Sequence, residues 1–157
     1  MIFSGGEPTL QPALRDAIAD VRKLGFRVGL HTAGIVPERL QELLPSLDWV
    51  GFDLKAPFAV YSKITGVVGS GERALESLRR LLASEVRYEV RTTVHSALLS
   101  FDDLLTLRKE LLAVGVKHFV LQHYRSPAST DSRLPASSAR WILPDDYACE
   151  FLDFSVR

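Results

Sequence analysis

Residues 2–10 read Ile-Phe-Ser-Gly-Gly-Glu-Pro-Thr-Leu, an apolar lead, two glycines, a carboxylate and a proline ahead of a helical pattern. That order describes a strand that stops abruptly and turns into a helix. Glycine tolerates positive φ and lets backbone approach a ligand closely, and Pro8 withholds an N–H and helps to end the strand. Glu7 then falls at the C-terminal end of a strand, the rim at which parallel α/β folds bind their ligands. The same letters also describe an ordinary βα turn, with Glu7 a partner for the dipole of the following helix.

Outward from this turn, helical and strand patterns alternate. Leu10, Leu14, Ala17, Ile18, Val21 and Leu24 recur at helical spacing, and Gly25 stops the run. Phe26 to His31 reads as a strand, Pro37 to Leu44 as a short helix, and Trp49 to Leu54 as the next strand. A helix opens at Ser70 or Gly71 and carries Leu75, Leu78, Leu81 and Leu82; Tyr88 to Val94 is a strand. Ser100 is the expected N-cap of a helix to Val114, with Asp102 and Asp103 in its first turn. Val116 to Gln122 is the fifth strand counted from the opening turn. His123 to Leu143 has the Ser, Pro and Ala content of a loop, and Cys149 to Val156 fits either pattern. Such alternation predicts a parallel sheet whose strand ends share one rim. No internal repeat or linker divides the chain, so one domain is expected over 1–157, well patterned over 1–125 with a divergent tail over 126–157.

The strands split into two unlike faces. Phe26, Val28 and Leu30 alternate with Arg27, Gly29 and His31; Val50, Phe52 and Leu54 with Gly51, Asp53 and Lys55; Tyr88, Val90, Thr92 and Val94 with Glu89, Arg91, Thr93 and His95. A parallel sheet covered by helices on both faces should be nearly all apolar. Two arrangements fit: a solvated face whose charges neutralise one another, Glu89 with Arg91 and Asp53 with Lys55, or a concave face that lines a ligand cavity once the sheet curls.

Composition narrows the function classes. Lys plus Arg equals Asp plus Glu at 19 each in 157 residues, so net charge makes no case for nucleic acid or an anionic membrane. No apolar run has the length of a membrane span and no signal peptide opens the chain, so the cytoplasm is the expected compartment. The four histidines make no i,i+4 pair and no metal site is expected. The sole cysteine, Cys149, excludes an intramolecular disulfide and is expected to pack between Tyr147 and Phe151.

FSGGEPTLQP, GFRVGLHTAG, LDWVGFDLKAP and YEVRTTVH, in this order, resemble successive segments of the radical SAM superfamily. More narrowly they resemble the activating proteins for anaerobic ribonucleotide reductase and pyruvate formate-lyase. The resemblance runs from Ile2 to about Arg125. It implies an α/β fold, a partial parallel (βα) barrel of six strands, here missing the first. It implies S-adenosylmethionine as cofactor, contacted by Gly5, Gly6, Glu7, His31, Asp53, Lys55 and Arg91, with Gln122 and Tyr124 near adenine or ribose. Ala33 stands where the family's His-Thr-Asn-Gly turn has Asn.

The same resemblance implies a glycyl-radical-activating function, in which a [4Fe-4S] cluster reduces S-adenosylmethionine to a 5′-deoxyadenosyl radical that takes a glycine hydrogen from a partner such as anaerobic ribonucleotide reductase. The family's three-cysteine cluster loop has no counterpart here. The expectation is therefore a C-terminal portion of a radical SAM core, inactive alone, with no catalytic residue assigned. The alternatives are a non-catalytic binding module derived from the fold and an iron-free α/β-barrel enzyme acting on a small anion. An unpaired apolar strand at Ile2 to Ser4 is expected to promote self-association.

Overall fold

A computed structural model describes residues 1–124 and 143–157. Six strands form one sheet: β1 (Ile2–Phe3), β2 (Gly29–Thr32), β3 (Trp49–Asp53), β4 (Arg87–Val94), β5 (His118–His123) and β6 (Asp153–Val156). They lie in sequential order, each parallel to the next. All C-terminal strand ends therefore meet at one rim, the arrangement expected of a partial barrel. The helices are α1 (Leu14–Lys23), α2 (Pro37–Leu43), α3 (Tyr61–Thr65), α4 (Ser70–Leu82) and α5 (Phe101–Val114).

One face of the sheet carries the core. Leu30, Val50, Phe52 and Val90 from the strands pack with Ile18, Leu40, Leu78, Leu81, Leu104, Leu107 and Leu111 from the helices. Leu14, Ile18 and Val21 are the buried stripe of α1. Ser100 caps α5 as expected, through a reciprocal box in which its hydroxyl accepts from the Asp103 N–H and Asp103 accepts from the Ser100 N–H.

Four expectations change. The helix expected from Leu10 is a 3-10 turn at Pro8–Leu10 followed by α1 from Leu14, so Leu10 and Leu24 are exposed. Pro12 explains the break, since it lacks an N–H and its ring obstructs the carbonyl four residues earlier. The strand expected from Phe26 begins at Gly29 and leaves Phe26 57% exposed. Its entry is held by Asp48, whose carboxylate accepts from the Val28 N–H at 2.7 Å. The tail adds a sixth strand to the five anticipated. Arg108 on α5 donates to the carbonyls of Asp146, Tyr147 and Cys149, while the buried Tyr147 hydroxyl donates to the Leu104 carbonyl. These bonds deliver β6 to the edge of β5. Cys149 is exposed rather than packed, because Tyr147, Phe151 and Phe154 form the aromatic contact and the turn faces Cys149 outward. The loop expected between His123 and Leu143 lies mostly outside the described residues.

Candidate functional site at the strand rim

Strand register brings the polar face together. His31 lies beside Gly51, Gly51 beside Glu89, and Asp53 beside Arg91. The guanidinium of Arg91 contacts Asp53 Oδ1 through Nε at 2.9 Å and Nη2 at 2.7 Å, and its Nη1 lies 3.1 Å from His31 Nε2. Arginine only donates, so Nε2 is the acceptor and the His31 proton sits on Nδ1, 3.4 Å from Ser4 Oγ. Burial first, and then the Arg91 cation, hold the His31 pKa below its usual 6.5. A continuous polar path thus runs Ser4–His31–Arg91–Asp53 across four strands, with Lys55 Nζ 4.0 Å from Asp53 Oδ2 at its outer end.

Gly51 makes this packing possible. A Cβ there would lie 2.6 Å from Trp49, 2.9 Å from His31 and 3.1 Å from Arg91. Trp49 meets the His31 ring edge-on at 5.4 Å. The Arg91 side chain is 11% exposed. Three contacts use three of its five N–H groups, leaving one on each terminal nitrogen.

The opening turn lies beside this cluster. Gly5 and Gly6 adopt φ of 102° and 57°, and a Cβ on either would meet nothing within 4 Å. Their backbone faces open space, joined to the cluster through Ser4. The Glu7 carboxylate is spent on the protein. Oε1 accepts from Thr9 N, Thr9 Oγ1 and Thr32 Oγ1, and Oε2 from the Ala33 N–H at 2.8 Å. Glu7 is also the N-cap of the 3-10 turn, so the helix-partner reading describes part of its role.

Of the residues singled out from sequence, His31, Asp53, Arg91 and, at the margin, Lys55 are brought together, and Gly5, Gly6 and Glu7 form the adjacent turn. Gln122 stands apart. It is one strand over and two residue pairs beyond Arg91 by register, in an open cavity of about 380 Å³ shared with Thr93, His123, Tyr124 and Arg157. Sequence reasoning does not single out Ser4, Thr9, Thr32, Trp49 or Tyr61. Ser4 and Thr32 sit inside the glycine-turn and His-Thr motifs and are legible there as hydroxyls. Tyr61 is not, because its hydroxyl accepts from the Lys55 N–H across a tertiary contact of 3.1 Å; burial pushes its pKa up to about 12, so it stays protonated.

Among the described residues no three His, Cys, Asp or Glu side chains group as a metal site, and no helix is long and apolar enough to cross a membrane. On the polar face the Arg91 guanidinium keeps two N–H groups that could donate to an anion, beside an exposed glycine turn.

A model of the Radical SAM superfamily matches residues 1–120. The chain is 29% identical over 100 residues to the Fe-coproporphyrin III synthase of Methanosarcina barkeri (strain Fusaro / DSM 804), a match that spans 60% of this chain and 25% of that protein. A solved domain of the pyruvate-formate lyase-activating enzyme from Bacteroides vulgatus ATCC 8482 superposes with a TM-score of 0.67 at 20% identity, over 85% of each chain. Streptococcus suis SuiB bound to S-adenosylmethionine superposes with a TM-score of 0.65 at 14% identity, over 81% of this chain and 30% of that one. These two structural likenesses concern the fold.

Proposed function

The chain belongs to the radical SAM superfamily, and from that premise we propose that its polar face binds S-adenosylmethionine as the cofactor-holding part of a glycyl-radical-activating protein. The observation that carries the binding reading is the Ser4–His31–Arg91–Asp53 path, contiguous with the open Gly5–Gly6 turn. Arg91 would hold the methionine carboxylate through its remaining N–H groups, oriented by Asp53 and His31 on the other side of the guanidinium. The Gly5–Gly6 backbone, set by Glu7, would receive the amino group. Lys55 would add charge at the margin, and Gln122 would take the nucleoside end. When bound, S-adenosylmethionine supplies the sulfonium whose reductive cleavage permits hydrogen-atom abstraction; the chain's own residues bind and orient it.

The iron–sulfur cluster is a different matter. Its ligands are thiolates, and these 157 residues contain one cysteine, exposed and distant in sequence from the Gly-Gly-Glu turn. The residues present do not fit a cluster, and no step through one is derived. A second reading is a binding module that uses the polar face without cluster chemistry. The glycyl-radical partner rests on motif resemblance and on the likeness to the activating-enzyme domain.

Calorimetry with S-adenosylmethionine tests the binding reading. Arg91→Ala is expected to weaken binding by about 1.5–3 kcal/mol, the range for hydrogen bonds to charged groups. Arg91→Lys should restore only part, since it loses the planar fork. No binding to the wild type, or an Arg91→Ala variant that is folded and binds equally well, would refute it.

A further inference from the structure

Glu7 and Thr32 make a tie that neither the strand ladder nor the polar cluster explains. The β1–β2 ladder has two residue pairs, Ile2 with Gly29 and Phe3 with Leu30, and ends before the glycine turn. Beyond it the turn is exposed, with two positive-φ glycines in series, an arrangement with much conformational freedom to lose. On the far side of the glycines the chain is anchored by the Glu7 carboxylate, which accepts its bonds from Thr9, Thr32 and Ala33. Thr32 Oγ1 donates to Oε1 at 2.7 Å and Ala33 N to Oε2 at 2.8 Å, so half of the bonds come from the end of β2.

The β2 end is itself rigid. Thr32 Oγ1 accepts from the Gly34 N–H at 3.0 Å, and the Gly34 carbonyl accepts from Ser77 Oγ at 2.6 Å. A Cβ at Gly34 would lie 2.5 Å from Phe52 and 2.7 Å from Ser77. Thr32 thus transmits the position of a packed turn to an open one. It is 2% exposed and alternates with His31, so its side chain lies on the helix side of the sheet. A ligand on the polar face does not reach it.

We infer that Thr32 is a positioning residue for the Gly5–Gly6 turn, acting through the Glu7 carboxylate and not by contact with a ligand. The consequence for cofactor affinity rests on the proposed binding of S-adenosylmethionine; the consequence for turn order does not.

The test compares Thr32→Val, which removes the hydroxyl at nearly constant shape, with Thr32→Ser, which keeps it. Backbone ¹⁵N relaxation is expected to show Gly5 and Gly6 rigid in the wild type and in Thr32→Ser, with order parameters near ~0.85, and loosened below about 0.6 in Thr32→Val. S-adenosylmethionine affinity should fall about tenfold or more in Thr32→Val, the loss of one charge-assisted bond, and stay within about twofold of wild type in Thr32→Ser. Should Thr32→Val not fold, Thr32→Ala replaces it: it removes the same hydroxyl and is expected to loosen the same glycines. A folded Thr32→Val or Thr32→Ala protein with Gly5 and Gly6 still rigid overturns the inference, as does a Thr32→Ser protein that loses turn order. A wild type that does not bind S-adenosylmethionine refutes the cofactor reading and leaves the relaxation result to decide this one.

Discussion

His31 is held neutral by its surroundings, and that state carries a consequence. Its Nε2 accepts from Arg91 only while unprotonated, so a second proton would turn the 3.1 Å contact into two opposed donors. Burial and the Arg91 cation lower its pKa below 6.5, against the opposing pull of Asp53 and Glu89. With the native pKa depressed, the unfolded chain takes the proton first as pH falls. The contribution to stability is therefore complete above pH 6.5 and is lost as pH drops through the native value. Imidazole NMR should find His31 titrating below 6.5 and moving upward in Arg91→Ala, where one cause of the depression is gone. A His31 pKa at or above 6.5 in the wild type would show that the Arg91 contact is not made in solution.

Among the elements, β6 depends on contacts far from it in sequence. Arg108 gathers three carbonyls of the 146–149 turn with one guanidinium and reaches Glu150 Oε1 at 3.2 Å. Removing it leaves those acceptors without their donor and releases the segment that brings Asp153–Val156 to β5. Arg108→Ala is expected to cost about 1–3 kcal/mol and to speed hydrogen exchange at 153–156 while leaving β4 protected. Unchanged exchange in β6 would mean that Tyr147 and the Phe119–Phe151–Phe154 contacts hold the tail unaided. The helix capping at Ser100 was legible because a cap and its partner are three residues apart. The Arg108 anchor was not, because donor and acceptors are about forty residues apart and the acceptors are backbone, which every sequence has.

Across the whole sheet, β1 is the first strand among the described residues. Among those residues β1 pairs only with β2, and Ile2 on it and the adjacent Met1 are exposed. Unpaired backbone beside apolar side chains is a template for another strand, and a net charge of zero supplies no repulsion between copies. A polypeptide of these 157 residues is expected to self-associate at micromolar concentration, less so with Ile2→Lys. Light scattering that shows a monodisperse monomer across that range would contradict it.

The alternation of strand and helix periods determined the parallel α/β fold, because period follows from backbone geometry and burial and is written into each segment. The split into an apolar and a polar face was equally legible, down to His31, Asp53 and Arg91 on one side, since alternation is a local property of a strand. Tertiary structure decided which polar groups meet. Register placed Arg91 against Asp53 and within reach of His31, and it turned the Glu7 carboxylate toward Thr32 and Ala33. It also made a strand of the tail, whose short aromatic run carries no period of its own and acquires strand geometry only by pairing with β5. Hydrogen-bond partners depend on which chain segments come within about 3 Å, and that distance is fixed by the packing of the whole sheet.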